Sequence, residues 1–168
     1  AIDFGQQPEE VDIKVGAMVL SPGFGRIDDA TLEKCSYGLH PDVVTAVEFE
    51  RMTTASGPFL GEVKCFSDGR HPKRIAFIQC VGSRDLGCNN GYCSSVCCMY
   101  AIKEAVMAKD HVPGLRTSIF MMDMRTHGKD FDRYTENARN NGVRFIPARI
   151  HTIDTLPESD GMVLRYVD

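Results

Sequence analysis

An α/β fold with a Rossmann-like parallel sheet, helices on both faces and a β-rich N-terminal flap is predicted for this chain by two observations. From residue 73 onward, short apolar runs alternate with amphipathic stretches of helical period. The first strand–helix junction also concentrates cysteines, and such junctions are where ligands gather in parallel α/β sheets.

The elements follow in order. Val11-Asp12-Ile13-Lys14-Val15 alternates like a half-buried strand and Ala17-Met18-Val19-Leu20 runs like a buried one, with Ser21-Pro22-Gly23-Phe24-Gly25 as a turn. A polar surface loop is expected to about residue 40, then a strand over Pro41–Thr45 and a short helix over Val47–Thr54. Val47 and Met52 are predicted on its inner face, and Ser56-Gly57-Pro58 closes it. Gly61 to Pro72 reads as a linker or hairpin, so residues 1–58, 59–72 and 73–168 are expected to form a flap and hinge, a linker and a Rossmann-like domain.

Within that domain, Arg74–Gln79 is a buried-strand run, Cys93 to about Lys109 a helix, and Leu115–Met122 a second strand. Asp130–Asn141 reads as an amphipathic helix with Phe131, Tyr134 and Ala138 on one face and Gly142 as its C-terminal cap. Val143–Ile146 supplies a third strand and Met162–Tyr166 a last one after a turn at Pro157–Gly161. Strand–helix–strand order implies right-handed crossovers.

Composition narrows the function. With 19 Lys and Arg against 23 Asp and Glu, the net charge is −4, so nucleic acid is not expected as a partner. No apolar run reaches bilayer length and no secretory leader pattern opens the chain, so a cytoplasmic protein without direct membrane insertion is expected. The five histidines at 40, 71, 111, 127 and 151 are scattered and read as surface or structural groups.

Seven cysteines, at 35, 65, 80, 88, 93, 97 and 98, fit metal-bound thiolates in a reducing compartment better than disulfide staples. Cys35 and Cys65 read as small buried hydrophobes, and Cys88 as a spectator close enough to substitute as a ligand. The remaining four are spaced C-x12-C-x3-C-C. On a helix, Cys93 and Cys97 share a face and Cys98 is turned by about 100°, while Cys80 approaches from the strand. The helix N-terminus favours thiolates and an anionic cluster. A [4Fe–4S] cluster is therefore expected on Cys80, Cys93, Cys97 and Cys98, ahead of structural zinc, which favours paired C-x2-C knuckles, and of a thiol–disulfide couple. The loop from Cys80 to Gly87 does not match G-x-G-x-x-G, which argues against nicotinamide binding in the usual manner.

Ile75-Ala76-Phe77-Ile78-Gln79-Cys80-Val81-Gly82-Ser83-Arg84-Asp85 and the run from Tyr92-Cys93-Ser94-Ser95-Val96-Cys97-Cys98 to Ala105 closely resemble the heterodisulfide reductase A-chain family. The resemblance extends through Asp123-Met124-Arg125, Gly128–Phe131 and Gly142–Ile146, and back through Val15–Phe24 and Val43–Pro58, so it covers nearly the whole chain. It implies part of an oxidoreductase of the thioredoxin-reductase type, with FAD and iron–sulfur clusters. Implied partners are other components of a heterodisulfide reductase-like complex and ferredoxin, hydrogenase or formate dehydrogenase modules; the intact protein is expected to be a homo-oligomer. The family's cluster motif falls on Cys80, Cys93, Cys97 and Cys98.

Its FAD-binding glycine fingerprint and ferredoxin-like C-x2-C-x2-C inserts are absent here, and Ser21-Pro22-Gly23 replaces a frequent Ala-Thr-Gly. The chain is thus expected to be a fragment, with residues 1–58 the returning end of an FAD domain and 73–168 a domain incomplete at its C-terminus. FAD is expected in the full-length protein and not in this fragment, which is expected to be inactive alone. Lys103 is the candidate flavin-facing cation in the intact protein, set against an ordinary solvated lysine.

Overall fold

The computed structural model describes residues 4–23, 25–156 and 161–167. Its elements are α1 (Asp29–Glu33), α2 (Ala46–Thr53), β1 (Arg74–Ile78), α3 (Cys97–His111), β2 (Arg116–Met121), α4 (Phe131–Asn140), β3 (Arg144–Pro147), β4 (Ile153–Thr155) and β5 (Met162–Leu164). β1, β2 and β3 pair in parallel in that order, with Phe77 opposite Ile119 and Phe120 opposite Ile146. The α/β class and the parallel sheet are as expected.

Side chains alternate across this sheet, as a two-residue period requires. Phe77, Ile119 and Met121 join the main core with Ala101, Ile102, Ala105 and Ala108 of α3 and Ala138 of α4. The small alanines let α3 lie close to the strands. The opposite face carries Phe120 and Ile146, which meet Ala148, Ile150, Ile78 and Leu164, and the Phe120 and Tyr166 rings touch at 5.1 Å. This face is closed by the antiparallel β4–β5 ribbon and not by a long helix, because a sheet that advances in one direction through right-handed crossovers places α3 and α4 on the same side.

The N-terminal segments depart from expectation. Residues 11–15 and 17–20 form no strand and leave Val11, Ile13, Val15, Met18, Val19 and Leu20 exposed. A strand depends on a pairing neighbour, and among the described residues none pairs with them. Phe24, within the expected turn, lies outside the described residues, as does the 157–160 part of the turn before β5.

Residues 26–40 are not all loop: Asp28 accepts the Thr31 N–H at 2.8 Å and starts α1, and Ser36 Oγ donates to the Ile153 carbonyl at 2.6 Å, tying this region to β4. Pro41–Thr45 is not a strand either. Thr45 caps α2 in a reciprocal box with Glu48, whose carboxylate accepts the Thr45 N–H at 2.7 Å. Val47 faces solvent, and Phe49 with Met52 supplies the buried face. The Phe49 and Phe77 rings meet edge-on at 5.6 Å, and Val63 is buried in the same core. Thr45→Ala is expected to cost about 1 kcal/mol of stability, measured by denaturant unfolding.

α4 ends as predicted. Gly142 takes a left-handed φ of 77°, the Gly142 N–H reaches Arg139 O and the Val143 N–H reaches Ala138 O, which leads the chain directly into β3.

Candidate metal centre

The carboxyl ends of all three parallel strands meet the N-terminus of α3. Cys80 follows β1, Met122 and Asp123 follow β2, Arg149 follows β3, and Cys97 and Cys98 open α3. α3 begins at Cys97, so Cys93 and Cys97 do not share a helical face as expected. Ser95 adopts a left-handed φ of 65°, which breaks the helical path, and Cys93 lies in the preceding loop with its Sγ accepting the Ser95 N–H at 3.3 Å. Cys97 lies four chain steps after Cys93, so their α-carbons are at most about 14 Å apart.

Cys80, Cys97 and Cys98 interact electrostatically with one another. The N-cap residue Val96 offers no side-chain acceptor to the open N–H groups of α3. Cys97 supplies one. The Cys98 thiol donates to it, the Ser94 hydroxyl and the backbone N–H groups of Cys98 and Cys97 add to that, and together they outweigh burial and lower its pKa to about 6. Cys98 moves the other way, because its thiol donates to Cys97 and is buried; the Arg125 N–H opposes this in part. Burial, followed by the charge of Cys97, pushes Cys80 up, with the Met122 N–H and Arg84 acting against it.

The Cys80 backbone is left-handed, with φ 61°, an uncommon state for a residue bearing a side chain and one found at functional sites. The loop then folds back on itself: the Asp85 N–H reaches Asn90 O at 2.9 Å and the Arg84 N–H reaches Tyr92 O at 3.1 Å. Gly82 is required within it, since a Cβ there would meet Ile27 Cδ1 at 2.8 Å in an already left-handed backbone. Cys88 lies in a short 3₁₀ turn of this loop, Leu86–Cys88, held by Asp85 accepting the Gly87 N–H at 2.8 Å. Cys35 is buried, and Cys65 is half-buried.

Arginine–aspartate pairs join the loop after β1 to the segments that follow β2 and β3. Arg84 pairs with Asp123, Arg125 also binds Asp123 at 3.2 Å, and Arg149 binds Asp85 at 2.5 Å. Burial opposes ionisation of Asp123, yet Arg84 and Arg125 hold its carboxyl below the usual range. Lys103, one of the predicted site residues, projects from α3 to α2 and pairs with Glu50 at 2.7 Å, which raises its pKa. Glu104, beside it, is buried; sequence reasoning passed over it, although its place between Ala101, Ala105 and Ala108 marks it as a charge on an apolar face.

Among the described residues no three His, Cys, Asp or Glu side chains are placed to hold one metal ion. A single zinc needs its sulfurs about 2.3 Å from one centre, whereas a cube spreads its thiolates over separate iron corners. The donor set suits the cube: Cys80, Cys97 and Cys98 interact electrostatically at the N-terminus of α3, with the Arg84 guanidinium beside Cys80.

No protein-family model matches the chain. It is 44% identical, across an alignment of 169 positions that covers 100% of the chain, to the second iron–sulfur A chain of CoB–CoM heterodisulfide reductase from Methanopyrus kandleri. Over its whole length the chain is similar to a segment of the heterodisulfide reductase A chains. Two further relatives are the A chain of H2:CoB–CoM heterodisulfide,ferredoxin reductase from Methanothermobacter marburgensis, 42% identical over 89% of the chain, and that of the ferredoxin/F420H2-dependent CoB–CoM heterodisulfide reductase from Methanosarcina acetivorans, 39% identical over the same share. The chain spans 26%, 23% and 19% of the lengths of these three relatives. Among its described residues no helix is long and apolar enough to cross a membrane.

Proposed function

We propose that the chain is an electron-transfer segment of a heterodisulfide reductase-type flavoprotein and holds one [4Fe–4S] cluster through Cys80, Cys93, Cys97 and Cys98. The convergence of Cys80, Cys97 and Cys98 at the joint of strand ends and helix N-terminus carries this reading. When bound, the cluster supplies a one-electron couple. The residues of the chain provide the environment: the N–H groups of α3, the guanidinium of Arg84 beside Cys80 and the backbone N–H of Arg125 beside Cys98 stabilise negative charge on the thiolates.

In the longer protein, FAD is the proposed electron partner and Lys103 the cation that faces it. The names of the relatives support ferredoxin, and hydrogen- or formate-linked modules, as exchange partners. Anaerobic reconstitution with iron and sulfide in competition with zinc tests the reading: visible charge-transfer absorbance that zinc does not suppress is expected, and zinc uptake without colour would refute it.

The lowered Cys97 pKa favours a second reading, a thiol–disulfide centre in which Cys97 is the attacking thiolate. Cys98→Ser separates the two, because it traps a mixed disulfide in the thiol mechanism and abolishes iron uptake in the cluster mechanism.

A further inference from the structure

Glu104 is 3% exposed, and neither of its carboxyl oxygens has a hydrogen-bond partner. An ionised carboxylate without donors in such a place is costly, so the group favours its protonated form. Burial, reinforced by Glu50 and opposed by Lys103, pushes its pKa to about 8.

Its position relates it to the thiol site. Cys97, Tyr100 and Glu104 recur along one face of α3, and seven residues of helix separate Cys97 from Glu104 by about 10 Å along the axis. Tyr100 lies between them and responds to both ends: burial, then the charges of Cys97, Glu104 and Cys98, raise its pKa to about 12. The titratable groups facing Glu104 are Glu50 from α2 and Lys103 and Tyr100 from α3, with Tyr134 of α4 beyond Lys103. The strands beneath α3 contribute the apolar Phe77 and Ile119.

We propose that Glu104 is a redox-linked proton site, which binds one proton as an electron arrives at the cysteine centre and releases it when the electron leaves. This rests on the cluster reading above. The electron comes from the centre's own donor and the proton from water; the only bond made is the O–H of the Glu104 carboxyl, and it breaks again on reoxidation. Linkage makes the effect reciprocal, so the electron raises proton affinity by the same factor as the proton raises electron affinity. At about 10 Å in a protein environment that factor is on the order of tenfold.

The test is a potentiometric titration of the anaerobically reconstituted protein and its E104Q variant at pH values on either side of about 8. The native midpoint potential is expected to be flat below that pH and to fall above it, by a total near the 59 mV equivalent of about tenfold for one electron. E104Q should be flat throughout. A reduced-minus-oxidised infrared difference spectrum of the native protein, recorded above pH 8, needs no variant and should show a carboxylic C=O band gained on reduction. Equal pH dependence in the two proteins, or no carboxyl band change, would overturn the coupling while leaving the cluster in place. Failure to obtain any iron–sulfur signal would overturn the cluster reading and the coupling with it.

Discussion

Replacing Cys97 by Ser is expected to lower iron and sulfide retention at least about tenfold, the scale already reached when only the outer partners of metal ligands are changed. Cys97 combines the features a cluster ligand needs. It stands at the start of α3, where the Cys98 thiol, Ser94 and the first-turn N–H groups lower its pKa. A serine hydroxyl at the same place stays protonated and gives a hard oxygen donor in place of a soft thiolate. Cys80→Ser and Cys98→Ser should match it, because both thiols belong to the same interacting group. Cys93→Ser should also lose the cluster, and here the result carries more information, since Cys93 comes from the loop and not from the helical face. Cys88→Ser serves as the control and should retain iron within about twofold of native, its side chain lying in the 3₁₀ turn of the loop. Iron and sulfide analysis of the reconstituted variants measures all five.

Glu104→Met is expected to stabilise the fold by about 1–4 kcal/mol at pH values above 8, and by less at acidic pH. The sign follows from linkage. The folded pKa of about 8 lies above the ordinary value of 4.5, so the native state binds the proton more tightly than the unfolded chain. This contribution is fully present below about pH 4.5 and is lost as pH rises through about 8, where the folded protein must carry an ionised carboxylate without donors. Methionine removes the ion and fills similar volume. Urea unfolding at acidic and alkaline pH should therefore show the native and variant curves diverging as pH rises; parallel curves would place Glu104 in contact with water or a donor.

The elements that proved legible in the sequence are those whose signals are local and strong. Arg74–Ile78 and Arg116–Met121 are runs of apolar and β-branched residues, and Gly142 follows the amphipathic period of α4 at the point where only a left-handed residue closes the helix. The extended segments near the N-terminus carry the same kind of pattern but lack a pairing strand among the described residues, and alternation alone cannot provide one. At Thr45 the β-branched run pointed to a strand, while the capping box with Glu48 decided for a helix start. The expectation for Val47 failed because α2 presents Phe49 and Met52 to the core.

At the site, cysteine type and spacing identified the thiols, but the helix was extended backward through Ser95, whose positive φ sets the true start of α3. The partners Asp123, Arg125 and Arg149 arrive from the ends of β2 and β3, at sequence separations that no short motif spans. Lys103 was singled out while its neighbour Glu104 was not, although Glu104 is the one of the two that the fold buries.

The central claim is that these thiols carry an iron–sulfur cluster, and the most direct measurement is iron, sulfide and zinc analysis of protein purified without oxygen, paired with EPR of the dithionite-reduced sample. About four irons and four sulfides per chain with a reduced-cluster signal is the predicted result. About one zinc per chain with no sulfide and no signal would contradict it.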